Sequence, residues 1–337
     1  MKRIAILGGG SWGTALAVIL SRSARAHAIS LWVHDAALAE SIRSERENKT
    51  YLPGIPIPSP VSVTHSLQEA CAEAQIVVGA IPAAYARSVY AEALPHLPPG
   101  PTVVSATKGL ESITHARMSE VISQAAQSAA TEPPPAIAVL SGPSFAAEAA
   151  MGQPTAVVLA SQNAALAREL QEDLAAPNFR LYTNDDVLGV ELAGAMKNVM
   201  AIAAGVCQGI GLGSNPLAAL ITRGLAEMTR LAVALGARPE TLSGLAGLGD
   251  LVLTCTGSLS RNRNVGIELG KGRALAEILQ GMKMVAEGVR TAGALLALAR
   301  EAGIELPITE QVDAILHHGK PPKDAIRTIM ERPLKRE

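Results

Sequence analysis

Short apolar runs recur through the N-terminal half of the chain: Arg3 to Leu7, Ile29 to Val33, Val61 to Thr64, Ile76 to Ala80, Thr102 to Ala106, Ile137 to Leu140 and Ala156 to Leu159. Segments with helical spacing of apolar side chains separate them. Runs of this length, bounded by turn residues, read as buried strands, and their alternation with helices predicts βαβ units and a mainly parallel sheet covered on both faces. The strand from Ala28 to Val33 closes the first unit within about thirty residues, the size of a dinucleotide-binding unit. Pro53, Pro56, Pro58 and Pro60 interrupt the pattern and predict a surface loop. From Asp186 onward the spacing becomes that of long helices, broken by the glycine-bearing stretches GIGLGSN and GLAGLGD. Asn184, Asp185 and Asp186 supply cap residues for the first of these helices. The expected fold class is α/β: an N-terminal Rossmann-type domain with a mainly parallel sheet, residues 1–185, followed by an all-helical C-terminal domain, residues 186–337.

Composition narrows what such a fold does. Hydrophobic residues make up 48 % of the 337 residues but aromatics only 2 %, so the cores are built from Ala, Leu, Val and Ile and there is no stacking platform for bases. A formal net charge of -1 lacks the basic footprint of a nucleic-acid binder. Nucleic acid is therefore not an expected partner, and any bound phosphate belongs to a small molecule. Cys71, Cys207 and Cys255 stand far apart without a CxxC pair, and among the histidines only His317 and His318 adjoin, so neither a disulfide framework nor a metal site is indicated. A reducing cytoplasm fits best. The basic, then apolar, N-terminus imitates a secretory signal, but Gly8, Gly9 and Gly10 interrupt it where a strand-to-helix turn belongs. The alanine-rich run from Glu191 carries Lys197 and Asn198 near its start and several glycines, so stable membrane insertion is not expected.

The stretch GGGSWG, residues 8–13, follows a strand and precedes the helical run TALAVIL. In a GxGxxG turn Gly8 permits the tight bend, Gly10 lets backbone approach a pyrophosphate, and Gly13 allows close helix packing, while the helix N-terminus supplies amides and a positive dipole. After the second strand come His34 and Asp35. With His34 at the ribose position no carboxylate repels a 2′-phosphate and NADP is acceptable; with Asp35 there, NAD is favoured. Lys108 and the SGPSF stretch, residues 141–145, also follow strands, where ligands of open α/β sheets gather. A solvated lysine and an ordinary Gly-Pro turn are the plainer readings.

Lys197 lies in ELAGAMKNVMAIAAG, among small apolar residues. Two explanations compete: close helix packing with the lysine snorkelling outward, or a cavity in which a ligand meets the ammonium. A second constellation favours the cavity. Asp250 stands in a glycine-rich bend and can pair with a buried lysine, and Ser260, Arg261 and Asn262 precede a helical run as phosphate-holding groups do. Capping alone would explain Ser260 or Asn262, but not the arginine.

Taken together, the stretches GGGSWGTALA, NKTYLPGIPIP, SATKGLE, SGPSFAAE, VELAGAMKNVMAIAAG, GLAGLGDLVLTCT, SRNRNVG and VAEGVRT resemble the bacterial-type NAD(P)-dependent glycerol-3-phosphate dehydrogenases over nearly the whole chain. The resemblance implies that Ser11, Trp12, His34, Lys108, Ala146, Arg261, Val285 and Glu287, beside Gly8, Gly10 and Gly13, bind NAD or NADP. It implies that Lys108, Gly142, Ser144, Lys197, Asp250, Ser260, Arg261 and Asn262 surround the phosphate substrate, with Lys197 as general acid/base and Asp250 orienting it. The expected reaction interconverts sn-glycerol 3-phosphate and dihydroxyacetone phosphate, supplying glycerol 3-phosphate for phospholipid synthesis, and the resemblance allows a homodimer. Alternatives are a β-hydroxyacid-type dehydrogenase, which has little need of Ser260, Arg261 and Asn262, and a non-catalytic NAD(P)-sensing protein, which needs neither Lys197 nor Asp250. The chain departs from the family at Gly9, where Ala is frequent, and at Ser214, Pro216 and Leu217, in what reads as a loop.

Overall fold

In the computed structural model, which describes residues 1–282 and 284–334, the apolar runs form strands whose ends lie within two residues of those expected. In chain order the strands are β1 (Lys2–Leu7), β2 (His27–Trp32), β3 (Glu47–Asn48), β4 (Leu52–Pro56), β5 (Val61–Thr64), β6 (Ile76–Gly79), β7 (Thr102–Ser105), β8 (Ala136–Ser141), β9 (Thr155–Ala160) and β10 (Phe179–Asn184). Eight of them make one sheet in the order β10-β9-β8-β7-β6-β1-β2-β5. From β5 to β8 all neighbours are parallel. That part has the 3-2-1-4-5-6 order of a dinucleotide-binding sheet, with its switch point between β1 and β6. β9 runs antiparallel to β8 and parallel to β10.

The alternation within β1 shows why the sheet is covered twice. Ile4 and Ile6 join one apolar cluster with the helix Ser11–Leu20, while Ala5 and Leu7 join another with Ala86 and Tyr90. A strand buried on both faces needs a continuous apolar sequence, which is what made it readable. β10 was not expected, because Phe179 and Leu181 are buried while Arg180 and Tyr182 are exposed, as suits the edge of a sheet. Of the expected surface loop at Pro53 to Pro60, Pro53 and Pro56 lie instead in an antiparallel ribbon, β3 with β4, while Pro58 and Pro60 lie in the loop between β4 and β5. Leu52, Ile55 and Ile57 are buried there, and the exposed Pro53 and Pro56 are tolerated because a two-stranded ribbon has free edges.

The chain forms two compact units: Met1–Glu111 with Ala116–Glu191, and Ser112–His115 with Leu192–Glu337. Among its described residues the second contains helices and no strand. Asp186 caps the helix Val187–Gly209, its Oδ1 accepting from the Gly189 amide at 2.9 Å. That helix is long and apolar enough to cross a membrane, yet 89 % of its most apolar stretch is buried inside the protein, as in a core helix. It crosses the helix Arg261–Gly270 at backbone distance: a Cβ on Gly205 would lie 2.0 Å from the Arg263 carbonyl oxygen, and one on Gly266 would lie 2.0 Å from that of Ile202. The departing residues Ser214, Pro216 and Leu217 are not in a loop; they form the start of the helix Ser214–Ala234.

Candidate active site

The three fingerprint glycines have three different surroundings. Gly8 has φ +122°, and a Cβ there would stand 2.6 Å from the Ala80 carbonyl oxygen across the switch point. A Cβ on Gly13 would meet the Gly8 carbonyl oxygen at 1.9 Å, so the helix packs directly on the turn. At Gly10 a Cβ would meet nothing within 4 Å. Tight turn, open approach and close packing are the three requirements of a pyrophosphate-binding turn. The helix Ser11–Leu20 begins there without a side-chain cap, so its first amides keep their capacity for an anion. These surroundings fit a dinucleotide. Gly9 also has a reason: a Cβ there would be 2.7 Å from the Val33 side chain.

At the end of β2, His34 is exposed and its ring meets that of Trp32 edge-on at 5.7 Å. Asp35 Oδ1 accepts from the Leu38 amide at 2.8 Å, capping the helix Ala36–Glu45. One carboxylate oxygen of Asp35 is thus committed to the fold. After β7 and β8, Lys108, Gly142 and Ser144 come together: the Gly142 carbonyl accepts from Lys108 Nζ at 2.8 Å and from Ser144 Oγ at 3.0 Å. Gly142 has φ +131°, and a Cβ there would crowd Val157 at 3.0 Å. Ala146 opens the helix Ala146–Ala150. Trp12 is half-buried, its ring tilted against Phe179 at 6.3 Å.

In the second unit Lys197 does not snorkel. It is 7 % exposed, and Nζ donates to Asp250 Oδ1 at 2.6 Å and to Thr254 Oγ1 at 2.7 Å. Asp250 is 1 % exposed and starts the helix Asp250–Thr256, directly after a π-helical turn, Leu245–Gly249. The expected bend is such a turn because Gly247 packs where a Cβ would meet the Leu242 carbonyl oxygen at 2.0 Å. Thr254 spends its own proton on the Asp250 carbonyl at 2.6 Å, which leaves its oxygen to accept from the lysine. Small residues here therefore serve close packing on one side of the helix while the lysine is held by charge and hydrogen bonds. Cys255 lies on the same helix, and burial pushes its thiol up to about 12, so it stays protonated and is no nucleophile.

The residues Ser260, Arg261 and Asn262 divide by role. Ser260 Oγ accepts from the Arg263 amide at 3.2 Å and caps the helix Arg261–Gly270. Asn262 Nδ2 donates to Asn198 Oδ1 at 2.9 Å, and its Oδ1 accepts from the Gly288 amide at 3.0 Å, tying three helices together. Arg261 has neither duty: it is exposed and makes no hydrogen bond among the described residues, with Glu287 as the charge that attracts it. Val285 and Glu287 are half-buried, and Glu287 begins the helix Glu287–Glu301.

Sequence reasoning missed Thr254, Asn198 and Asn48. The signal for Thr254 was its position four residues after Asp250 on a helix, on the same face. Asn198 adjoins Lys197 but points elsewhere. Asn48 is fully buried, and its side chain reaches the glycine-rich turn 39 residues earlier, which no local pattern discloses.

Known proteins resemble this chain along nearly its whole length. Residues 3–167 match the family model for the NAD-dependent glycerol-3-phosphate dehydrogenase N-terminus, and residues 186–327 match that for its C-terminus. A protein of Koribacter versatilis named glycerol-3-phosphate dehydrogenase (NAD(P)+) is 53 % identical over 334 residues, covering 99 % of this chain and 98 % of its own. One of the same name from Acidobacterium capsulatum is 53 % identical over 337 residues, covering 99 % of each. The crystal structure of glycerol-3-phosphate dehydrogenase from Coxiella burnetii superposes with a TM-score of 0.92 at 40 % identity, covering 98 % of this chain and 99 % of that one.

Proposed function

The chain belongs to the NAD-dependent glycerol-3-phosphate dehydrogenase family, and from that premise we propose which of its residues carry the reaction. The enzyme interconverts sn-glycerol 3-phosphate and dihydroxyacetone phosphate with NAD(P). The nicotinamide, when bound, supplies or accepts the hydride at C2 of the substrate. Reduction at that carbon builds negative charge on its oxygen, and Lys197 donates the proton that quenches it; in oxidation it takes the proton back. Asp250 and Thr254 fix the ammonium, so its direction is set before substrate arrives. Arg261 anchors the phosphate, and holding the substrate by a group remote from the reacting carbon orients that carbon. Ser260 and Asn262 shape this anchor through the cap and the three-helix bridge. Lys108, Gly142 and Ser144 form a polar cluster of the first unit that meets the substrate, and the turn of Gly8, Gly10, Ser11, Trp12 and Gly13 holds the dinucleotide. His34, Ala146, Val285 and Glu287 complete the dinucleotide contacts.

The observation that carries this reading is the buried Lys197, paired with Asp250 at 2.6 Å inside an apolar helix. A lysine taken out of water in a helix core is retained at a cost that a packing role does not require. The test is NADH oxidation with dihydroxyacetone phosphate by the wild type and by Lys197→Met. A variant that binds NADH normally and has lost turnover supports the assignment; one that turns over normally refutes it. The same proposal includes a cytoplasmic location, supported by the scattered cysteines, a homodimer, and supply of glycerol 3-phosphate for phospholipid synthesis. Sedimentation of the purified chain and the lipid content of cells depleted of it are the corresponding measurements.

A further inference from the structure

The glycine-rich turn is held from outside by the ribbon of β3 and β4. Asn48 is fully buried there, and each polar atom of its side chain has a defined partner. Nδ2 donates to the Gly9 carbonyl at 2.8 Å and to Thr14 Oγ1 at 2.9 Å, while Oδ1 accepts from the Tyr51 amide at 3.1 Å. A second stitch runs the other way, from Ser11 Oγ to the Tyr51 carbonyl at 2.7 Å. The ribbon thus grips the turn on both sides of Gly10.

The contact with Gly9 bears on ligand binding because of peptide planarity. The Gly9 carbonyl and the Gly10 N–H belong to one trans peptide, in which C=O and N–H point in opposite directions. Gly9 and Gly10 lack side chains, so little else in the turn resists rotation of that plane. Fixing the carbonyl toward Asn48 fixes the amide away from it. Gly10 is also the glycine at which a Cβ would meet nothing within 4 Å. We propose that Asn48 is a positioning residue for the dinucleotide: by holding the Gly9 carbonyl it aims the Gly10 amide at the diphosphate. This rests on the assignment of Gly8 to Gly13 as the dinucleotide turn.

The role separates from a merely structural one by ligand. Asn48→Asp keeps the shape and the acceptor for Tyr51, deletes both donors, and sets a carboxylate against the Gly9 carbonyl. Thr14→Val removes one partner of Asn48 and leaves the Gly9 contact in place. Dissociation constants are measured with the full chain for NADH and ADP-ribose, which share the diphosphate, and for adenosine as a competitor, which lacks it. Thermal melting of the unliganded proteins runs alongside, and the milder Asn48→Ser is carried through the same series. Asn48→Asp and Asn48→Ser should weaken NADH and ADP-ribose together, by about tenfold or more for the aspartate, and leave adenosine within about threefold of wild type. Thr14→Val should lower the melting temperature while NADH binds as before. Equal weakening of adenosine and NADH, or unchanged NADH affinity in both Asn48 variants, overturns the proposal. Failure of the wild-type chain to bind NADH overturns the dinucleotide assignment beneath it, and is told apart because it needs no variant.

Discussion

Replacing Lys197 with Met keeps the length and apolar stem of the side chain and removes only the ammonium. Asp250, 1 % exposed, then loses a charge partner at 2.6 Å. At an effective dielectric constant of about 20 that attraction is about 6 kcal/mol, much of which offsets the desolvation of the two groups. What breaking such a pair costs is the carboxylate left behind, about 3 to 5 kcal/mol. Against a total stability of about 5 to 15 kcal/mol this is a large share. We therefore expect Lys197→Met to lower the urea midpoint at unchanged slope, and to lower kcat by about 10² to 10⁴ as a lost general acid/base does. The double variant Lys197→Met with Asp250→Leu removes both charges. It should recover most of the stability, since apolar replacement of a buried pair is often neutral or better, and none of the turnover. Urea unfolding followed by circular dichroism and NADH oxidation with dihydroxyacetone phosphate measure the two quantities on the same preparations. A single variant with the wild-type midpoint, or a double variant that regains turnover, would refute the reasoning.

Arg261→Ala should cost about 1.5 to 3 kcal/mol in kcat/KM for dihydroxyacetone phosphate and barely change the slow turnover of unphosphorylated dihydroxyacetone; equal losses on both would assign the arginine to cofactor or fold. His34→Asp should shift the ratio of kcat/KM for NADPH and NADH toward NADH by about 1 to 3 kcal/mol, and an unchanged ratio would place His34 away from the ribose. Asp173 gives a pH signature at the base of the first unit: Lys2 Nζ lies 2.5 Å from Oδ2 and Arg25 Nη1 2.8 Å from Oδ1. Burial pushes its pKa up, but hydrogen bonds and charge from Lys2 and Arg25 outweigh this and hold it below the usual carboxylate value. Its stabilisation is complete above the unfolded pKa of about 3.9 and is lost as pH falls through the lower folded value. The stability gap between wild type and Asp173→Asn should hold from neutral pH to about pH 4 and shrink below it; urea titrations showing a gap that widens on acidification would contradict this.

What could be read from the sequence was what local constraints determine. Gly8, Gly10 and Gly13 have roles set by one strand, one turn and one helix, so their spacing sufficed. The strands β1, β6 and β7 are buried on both faces and announce themselves as apolar runs. β10 alternates buried with exposed and shows no such run, and nothing in Thr155–Ala160 discloses that β9 enters the sheet antiparallel to β8. Lys197 and Asp250 stood out as charges in apolar surroundings, although 53 residues separate them. Ser260 and Asn262 were ambiguous, because a cap, a bridge and a phosphate ligand call for the same polar types. Asn48 was invisible: a polar residue in a proline-rich stretch is ordinary until the tertiary fold brings Gly9 and Thr14 to it.

The crossing of Val187–Gly209 with Arg261–Gly270 has a bearing on how rigidly the two helices are set against each other. One helix carries Lys197, proposed above as the proton donor, the other begins with Arg261, the proposed phosphate anchor, and at Gly205 and Gly266 their backbones meet with no side chain between them. Side chains at a helix crossing can repack and let the helices slide; bare backbone cannot, since its dimensions are those of the peptide itself. What the crossing fixes is the interval between the two backbones, while the exposed Arg261 side chain stays free to adjust its reach. Four glycines, Gly205, Gly209, Gly266 and Gly270, thus act as a rigid hinge pin between the helix of Lys197 and the helix that Arg261 begins.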